Sequence, residues 1–213
     1  GTGLSERDAR LEGLEDFVAD LVAVADAAGL DRFSIFAASQ AVAVAIAFAA
    51  RFPGRVDRMV LYGGFAEGRA IRRNQPGEID EPTALALIRS GWGQERSPFM
   101  KAFETLFVPD ATAAQIDELT RLQGASALPD TAARLRSVVD RFSVVDLLDQ
   151  VQAPTLVIHA HDDAIQPFAQ GQKLAAGIPG ARFVRLDSRN HVPLPQDPAW
   201  SRMMAELERF LRG

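Results

Sequence analysis

The chain has 213 residues, 47% of them hydrophobic, which suits one domain with a sizeable buried core and excludes a disordered chain. Its 23 Lys and Arg against 28 Asp and Glu leave a net charge of −5, which disfavours a surface that tracks nucleic-acid phosphates. Cysteine is absent, so disulfides, thiolate metal sites and cysteine nucleophiles are removed together.

In chain order, Leu14, Phe17, Val18, Leu21, Val22 and Ala25 fall on one helical stripe and predict a helix over 12–28, closed by Gly29. A short apolar run at 32–37 reads as a strand, and 41–52 as a buried helix stopped by Pro53-Gly54. The next strand is 56–62, ending in Gly63-Gly64. From Phe65 to Gln152 no strand is predicted; helical patterns occupy 80–90, 98–107, 112–124 and 130–149. Gln75-Pro76-Gly77, Ser97-Pro98, Val108-Pro109-Asp110 and Leu128-Pro129-Asp130 punctuate them as turns or helix starts. Strands follow at 154–160 and 181–186 with a helix near 168–176 between them, and 198–212 forms a last amphipathic helix.

The longest apolar stretch, Ile35 to Ala50, is broken only by Ser39 and Gln40 and is shorter than the ~18 to 20 residues of a membrane span. No basic-then-apolar leader opens the chain at Gly1-Thr2-Gly3-Leu4-Ser5, and a cytoplasmic protein with no membrane partner is expected. Strands alternating with helices predict an α/β fold, a mainly parallel sheet flanked by helices. The division expected is 1–64, the first part of the core; 65–152, a helical cap over the carboxyl edge of the sheet; and 153–213, the second part of the core.

Open parallel sheets bind ligands outside the carboxyl ends of their strands, so the residues after each strand are informative. Ala37-Ala38-Ser39-Gln40-Ala41 follows the first strand, His159-Ala160-His161-Asp162-Asp163 the third, and Ser188-Arg189-Asn190-His191 the fourth. Serine, acid and histidine thus share one edge in the chain order Ser, Asp, His. The strand–serine–helix junction has the outline of a nucleophile elbow, although Ala37 and Ala41 stand where G-x-S-x-G has glycine. Taken alone, Ser39 reads as an ordinary turn serine; the acid and histidine at matching strand ends are what single it out.

The segments LEDFVADLVAVADAAGLDRFSIFAASQAVAVAIAFAARFPGRVDRMVLYGG, APTLVIHAHDDAIQPF and ARFVRLDSRNHVPL together resemble the α/β-hydrolase superfamily, most of all bacterial hydrolase domains that read GISQGG at the elbow. The resemblance implies a nucleophile at Ser39, an acid at Asp163 and a base at His191. It chooses Asp163 over Asp162 because the acid of the family lies four residues before a proline, here Pro167. It also implies that the backbone N–H of Gln40 is an oxyanion donor. In the family several strands precede the segment resembling Gly1-Thr2-Gly3-Leu4-Ser5. Those strands, and the second oxyanion donor of the loop among them, are expected to be missing, leaving 32–37 as an exposed sheet edge.

A metal site is the weaker alternative. His159-x-His161-x-Asp163 is similar to part of the H-x-H-x-D-H pattern of metallo-β-lactamase-like hydrolases, but Ala164 takes the last place and His191 is the only other histidine. No metal and no cofactor are expected. Trp92, Phe99, Met100, Phe103 and Phe107 fall at helical spacing and suit the core of the cap, with Trp92 also a pocket candidate beside Phe65, which directly follows a strand. Arg69, Arg72 and Arg73 read as solvated surface. The expected function is a serine hydrolase acting on a small ester, lactone or similar acyl compound through an acyl-enzyme intermediate. The alternative is a non-catalytic, hydrolase-like domain for ligand sensing or interaction. The expected partners are a small-molecule substrate, no nucleic acid, and either a second copy or an N-terminal fragment that completes the sheet.

Overall fold

The computed structural model describes residues 1–6, 9, 12–72, 79–94 and 97–213. Gln75-Pro76-Gly77 and Arg73 lie outside the described residues. Four strands, β1 (Phe33–Ala38), β2 (Val56–Tyr62), β3 (Thr155–Ala160) and β4 (Arg182–Leu186), form a parallel sheet in the order β1-β2-β3-β4. The registers Ala38↔Tyr62, Tyr62↔Ile158 and Ala160↔Leu186 bring the carboxyl ends of the strands to one edge.

The sheet is covered on both faces because β2 and β3 are apolar on both. Met59, Leu61 and Val157 face a core built with α1 (Leu14–Ala27), α2 (Ala41–Arg51) and α7 (Phe168–Gly177). Val60, Tyr62, Leu156 and Ile158 face the other side, where Ala199, Met203 and Phe210 of α8 (Ala199–Arg212) pack on them. That alternation is the period of two of a strand read on both sides at once. In α2, Val42, Ile46 and Phe48 are fully buried with alanines between them, and the small side chains let the helix lie close on the sheet. β1 and β4 are the sheet edges, and on β1 Phe36 keeps 52% exposure. Among the described residues no helix is long and apolar enough to cross a membrane.

Between β2 and β3 stand α3 (Glu81–Gly91), α4 (Pro98–Phe107), α5 (Ala113–Ser126) and α6 (Pro129–Val139). Their starts are encoded locally. Asp80 and Ser97 side chains accept the backbone N–H of Thr83 and Met100, Thr112 and Gln115 form a capping box, and prolines open α4 and α6.

The helix expected over 130–149 is corrected: α6 ends at Val139, and Val145–Gln150 is a separate 3₁₀ turn. Between them the chain turns back to pair with 66–70. Val144 N–H donates to Ala66 C=O at 2.9 Å, Gly68 N–H to Phe142 C=O at 2.7 Å, and Ala70 N–H to Asp140 C=O at 2.8 Å. This pairing buries Phe142 and Val144, which a continuing helix would point elsewhere. It also requires glycine at position 68, where a Cβ would sit 2.3 Å from the Asp140 carbonyl oxygen.

Candidate active site

Ser39 sits between the end of β1 and the start of α2, and among the described residues it is the one non-glycine residue with positive φ, 54°. For a residue with a Cβ this left-handed conformation costs about 1–2 kcal/mol, and the neighbours hold it there. Its N–H donates to Tyr62 C=O at 2.9 Å and its C=O accepts from Val42 N–H at 3.1 Å. Gln40, the N-cap of α2, follows at φ −59°, so its N–H belongs to the unpaired donors of a helix start beside the hydroxyl.

The Ser39 Oγ lies 2.9 Å from His191 Nε2, and His191 Nδ1 lies 2.7 Å from Asp163 Oδ2. Asp163 Oδ1 accepts two backbone N–H groups, Ile165 at 2.8 Å and Gln166 at 2.9 Å. A carboxylate only accepts, so the imidazole proton sits on Nδ1 and the Nε2 lone pair faces the serine hydroxyl. Both partners are buried, His191 at 3% exposure and Asp163 at 8%, which shields the line from water.

Asp162 is elsewhere: its carboxylate meets His161 Nδ1 at 2.8 Å on the surface. His159, fully buried, donates through Nε2 to Gln166 C=O at 3.0 Å, and burial holds its pKa below the ordinary histidine range. The two histidines therefore serve different partners, and no group of three or more metal-ligating side chains converges among the described residues.

Several neighbours were not foreseen from the sequence. The carbonyl oxygen of Phe107, at the end of α4, accepts His191 N–H at 2.8 Å, and its ring stands edge-on to the imidazole at 5.4 Å. Asn190 is fully buried; its amide donates to Asp110 Oδ2 at 3.1 Å and Asp197 Oδ2 at 2.7 Å, while its Oδ1 accepts Asp110 N–H at 3.1 Å. The histidine loop is thus clamped between the helical insertion and the segment that leads into α8. Gly63 passes so close to the histidine that a Cβ would lie 3.4 Å from its ring, and at Gly64 one would lie 2.4 Å from Val42. The Gly-Gly pair after β2 was legible as a strand end; that it faces the imidazole was not.

A cavity of about 360 Å³ adjoins this line, with Gln40 and Phe107 on its wall together with Trp92, Phe103, Leu122 and Arg136. Trp92 lines this cavity, and its indole N–H donates to Ala127 C=O at 3.1 Å. Phe65 is a correction: it is 2% exposed in the main core and does not line the cavity. The chain beyond it is held down where Gln170 Oε1 accepts the N–H of Ala66 at 3.0 Å and of Glu67 at 3.1 Å, which keeps the ring inside. Behind the cavity wall Glu104 is fully buried, its Oε2 accepting from Gln123 Nε2 at 3.2 Å, and burial pushes its carboxyl up to about 7.

No protein-family model matches the chain. A 2-hydroxy-6-oxononadienedioate/2-hydroxy-6-oxononatrienedioate hydrolase of Cupriavidus pinatubonensis is 30% identical over 172 residues, 76% of this chain and 57% of its own length. A pyrrolizixenacetamide deacetylase of Xenorhabdus hominickii is 26% identical over 200 residues, 92% of this chain and 74% of its own. The chain thus spans little more than half of the first of these relatives. Among solved structures, the esterase of Exiguobacterium antarcticum superposes with a TM-score of 0.84 at 17% identity, covering 100% of this chain and 79% of that one. The enol-lactonase of Burkholderia xenovorans LB400 gives 0.70 at 22% identity, covering 98% and 77%. The chain has the α/β-hydrolase fold. In this chain, alanines stand at 37 and 41 around the Ser39 turn, and the close approach of strand loop and helix is made at Gly64 against Val42.

Proposed function

We propose that the chain is a serine hydrolase acting on a small ester, lactone or similar acyl compound. The observation that carries this reading is the hydrogen-bonded line from Ser39 through His191 to Asp163. His191 Nε2 takes the hydroxyl proton as Ser39 Oγ attacks the acyl carbon, and Asp163 stabilises the imidazolium that forms. Charge on the carbonyl oxygen is met by the backbone N–H of Gln40 at the start of α2. His191 then passes the proton to the departing alcohol, leaving an acyl-Ser39 ester that water cleaves by the same steps in reverse order. This chemistry asks for no cofactor. Residues 65–152 act as a cap over residues 1–64 and 153–213, with Trp92 on the wall of the acyl pocket.

A fluorophosphonate probe tests the reading, since it labels only an activated serine. Labelling of Ser39 together with hydrolysis of short p-nitrophenyl esters, both lost in Ser39→Ala, is the expected result; a folded protein that is neither labelled nor active refutes it. The second reading, a hydrolase-like sensing or interaction domain, is favoured by one observation: the open β1 edge, where Phe36 stands exposed beside an apolar groove of about 290 Å³ lined by Phe17, Leu21 and Ile35. In that reading the edge is paired by a second copy or by an added N-terminal fragment, and light scattering detects the pairing.

A further inference from the structure

The cavity lined by Gln40, the neighbour of Ser39, is walled mainly by apolar side chains, and of the described residues lining it Arg136 alone carries a charge. Arg136 is partly buried on α6, with 20% of its side chain exposed. Its Nε donates to Asp140 Oδ2 at 2.6 Å, one helical turn on. Among the described residues neither Nη1 nor Nη2 has a hydrogen-bond partner, and neither is sealed from solvent. Guanidinium carries five N–H donors in a flat fork, so this ion pair engages one edge and leaves the other open.

A cation placed against apolar walls costs free energy unless its remaining donors meet an acceptor. A carboxylate matches the open edge with two parallel N–H···O bonds. Because Asp140 already offsets part of the charge, a monoanion suits the place better than a dianionic phosphate. A cavity of about 360 Å³ gives room for an acyl chain with a polar group at each end.

We propose that this cavity takes acyl substrates with a carboxylate at the end remote from the scissile bond, and that Arg136 binds that carboxylate. The inference rests on reading Ser39, the neighbour of the cavity-lining Gln40, as the nucleophile. It makes Arg136 the residue that separates anionic from neutral acyl chains.

The test uses two esters of equal chain length, monomethyl adipate and methyl hexanoate, which differ only in the terminal carboxylate. Binding to the Ser39→Ala protein, measured by calorimetry so that turnover plays no part, is expected to favour monomethyl adipate by at least about tenfold. In Ser39→Ala/Arg136→Gln the preference should shrink to about threefold or less. Equal affinity for the two esters, no binding of monomethyl adipate at millimolar concentration, or a preference unchanged by Arg136→Gln overturns the proposal. Should Arg136→Gln fail to fold, the ester pair on the protein that keeps Arg136 still decides. Turnover separates this from the wider reading. Hydrolysis of both esters by the Ser39 protein without a binding preference defeats the Arg136 inference alone. A binding preference without hydrolysis of either defeats the serine-hydrolase reading alone.

Discussion

Replacing Asp163 by asparagine isolates the role of one proton. Oδ1 of Asp163 accepts two backbone N–H groups, from Ile165 and Gln166, while Oδ2 faces His191 Nδ1. In Asp163→Asn the amide oxygen must stay with the two backbone donors, because an NH₂ there would confront two N–H groups and forfeit both bonds. The amide nitrogen therefore takes the Oδ2 position and donates to His191 Nδ1. That moves the imidazole proton to Nε2, where an N–H replaces the lone pair that faces Ser39 Oγ at 2.9 Å. The base is present but in the wrong tautomer. Loss of about 10⁴ in kcat is expected, or about 5.4 kcal/mol at about 1.36 kcal/mol per decade. Stability should change by only about 1 kcal/mol, since the hydrogen-bond count is kept. Steady-state hydrolysis of p-nitrophenyl butyrate, with urea unfolding as the control, makes the measurement. A folded Asp163→Asn protein within tenfold of the wild-type kcat refutes the reasoning. Asp162→Asn should stay close to wild type, the only described partner of its carboxylate being the exposed His161.

Ser39→Gly and Ser39→Ala should both be inactive, yet the glycine variant should be more stable by about 1 kcal/mol because φ of 54° penalises a Cβ; equal urea midpoints would count against strain at the elbow. Gly64→Ala should destabilise by about 1–3 kcal/mol, since the new methyl meets fully buried Val42 at 2.4 Å, and Val42→Ala in the same chain should restore part of it; additive losses would show that the two do not clash. Glu104 titrates near 7 when folded against an ordinary 4.5, so between these values the unfolded chain gives up the proton first and stability falls as pH rises, levelling off above about 7. Glu104→Gln should flatten that fall in urea midpoints between pH 5 and pH 8, and a slope identical to wild type would remove Glu104 as its source. Asn190→Ala should lower kcat more than it raises KM, because Asn190 anchors the histidine loop through Asp110 and Asp197; an unchanged kcat in a folded variant would contradict this.

Local pattern carried much of this molecule. Strand boundaries near 33–38, 56–62, 155–160 and 182–186 follow from apolar runs stopped by glycine and proline, and the starts of α4 and α6 follow from Ser97-Pro98 and Leu128-Pro129. Because a parallel sheet exposes its binding edge after every strand, the placement of Ser39, Asp163 and His191 at strand ends was readable in the same way. The single helix drawn through 130–149 failed because the pairing of 140–144 with 66–70 is a contact between distant segments, which periodicity does not record.

The amino-acid order by itself determined the α/β class, most of the elements and the chain order of serine, acid and histidine, since each depends on neighbours a few residues apart. Tertiary structure alone decided that Phe107 and Asn190 clamp the histidine loop, that Phe65 belongs to the core, and that Arg136 shares a cavity wall with Gln40. Each of these depends on which side chains from remote segments reach the same few ångströms, and packing, not local pattern, settles that.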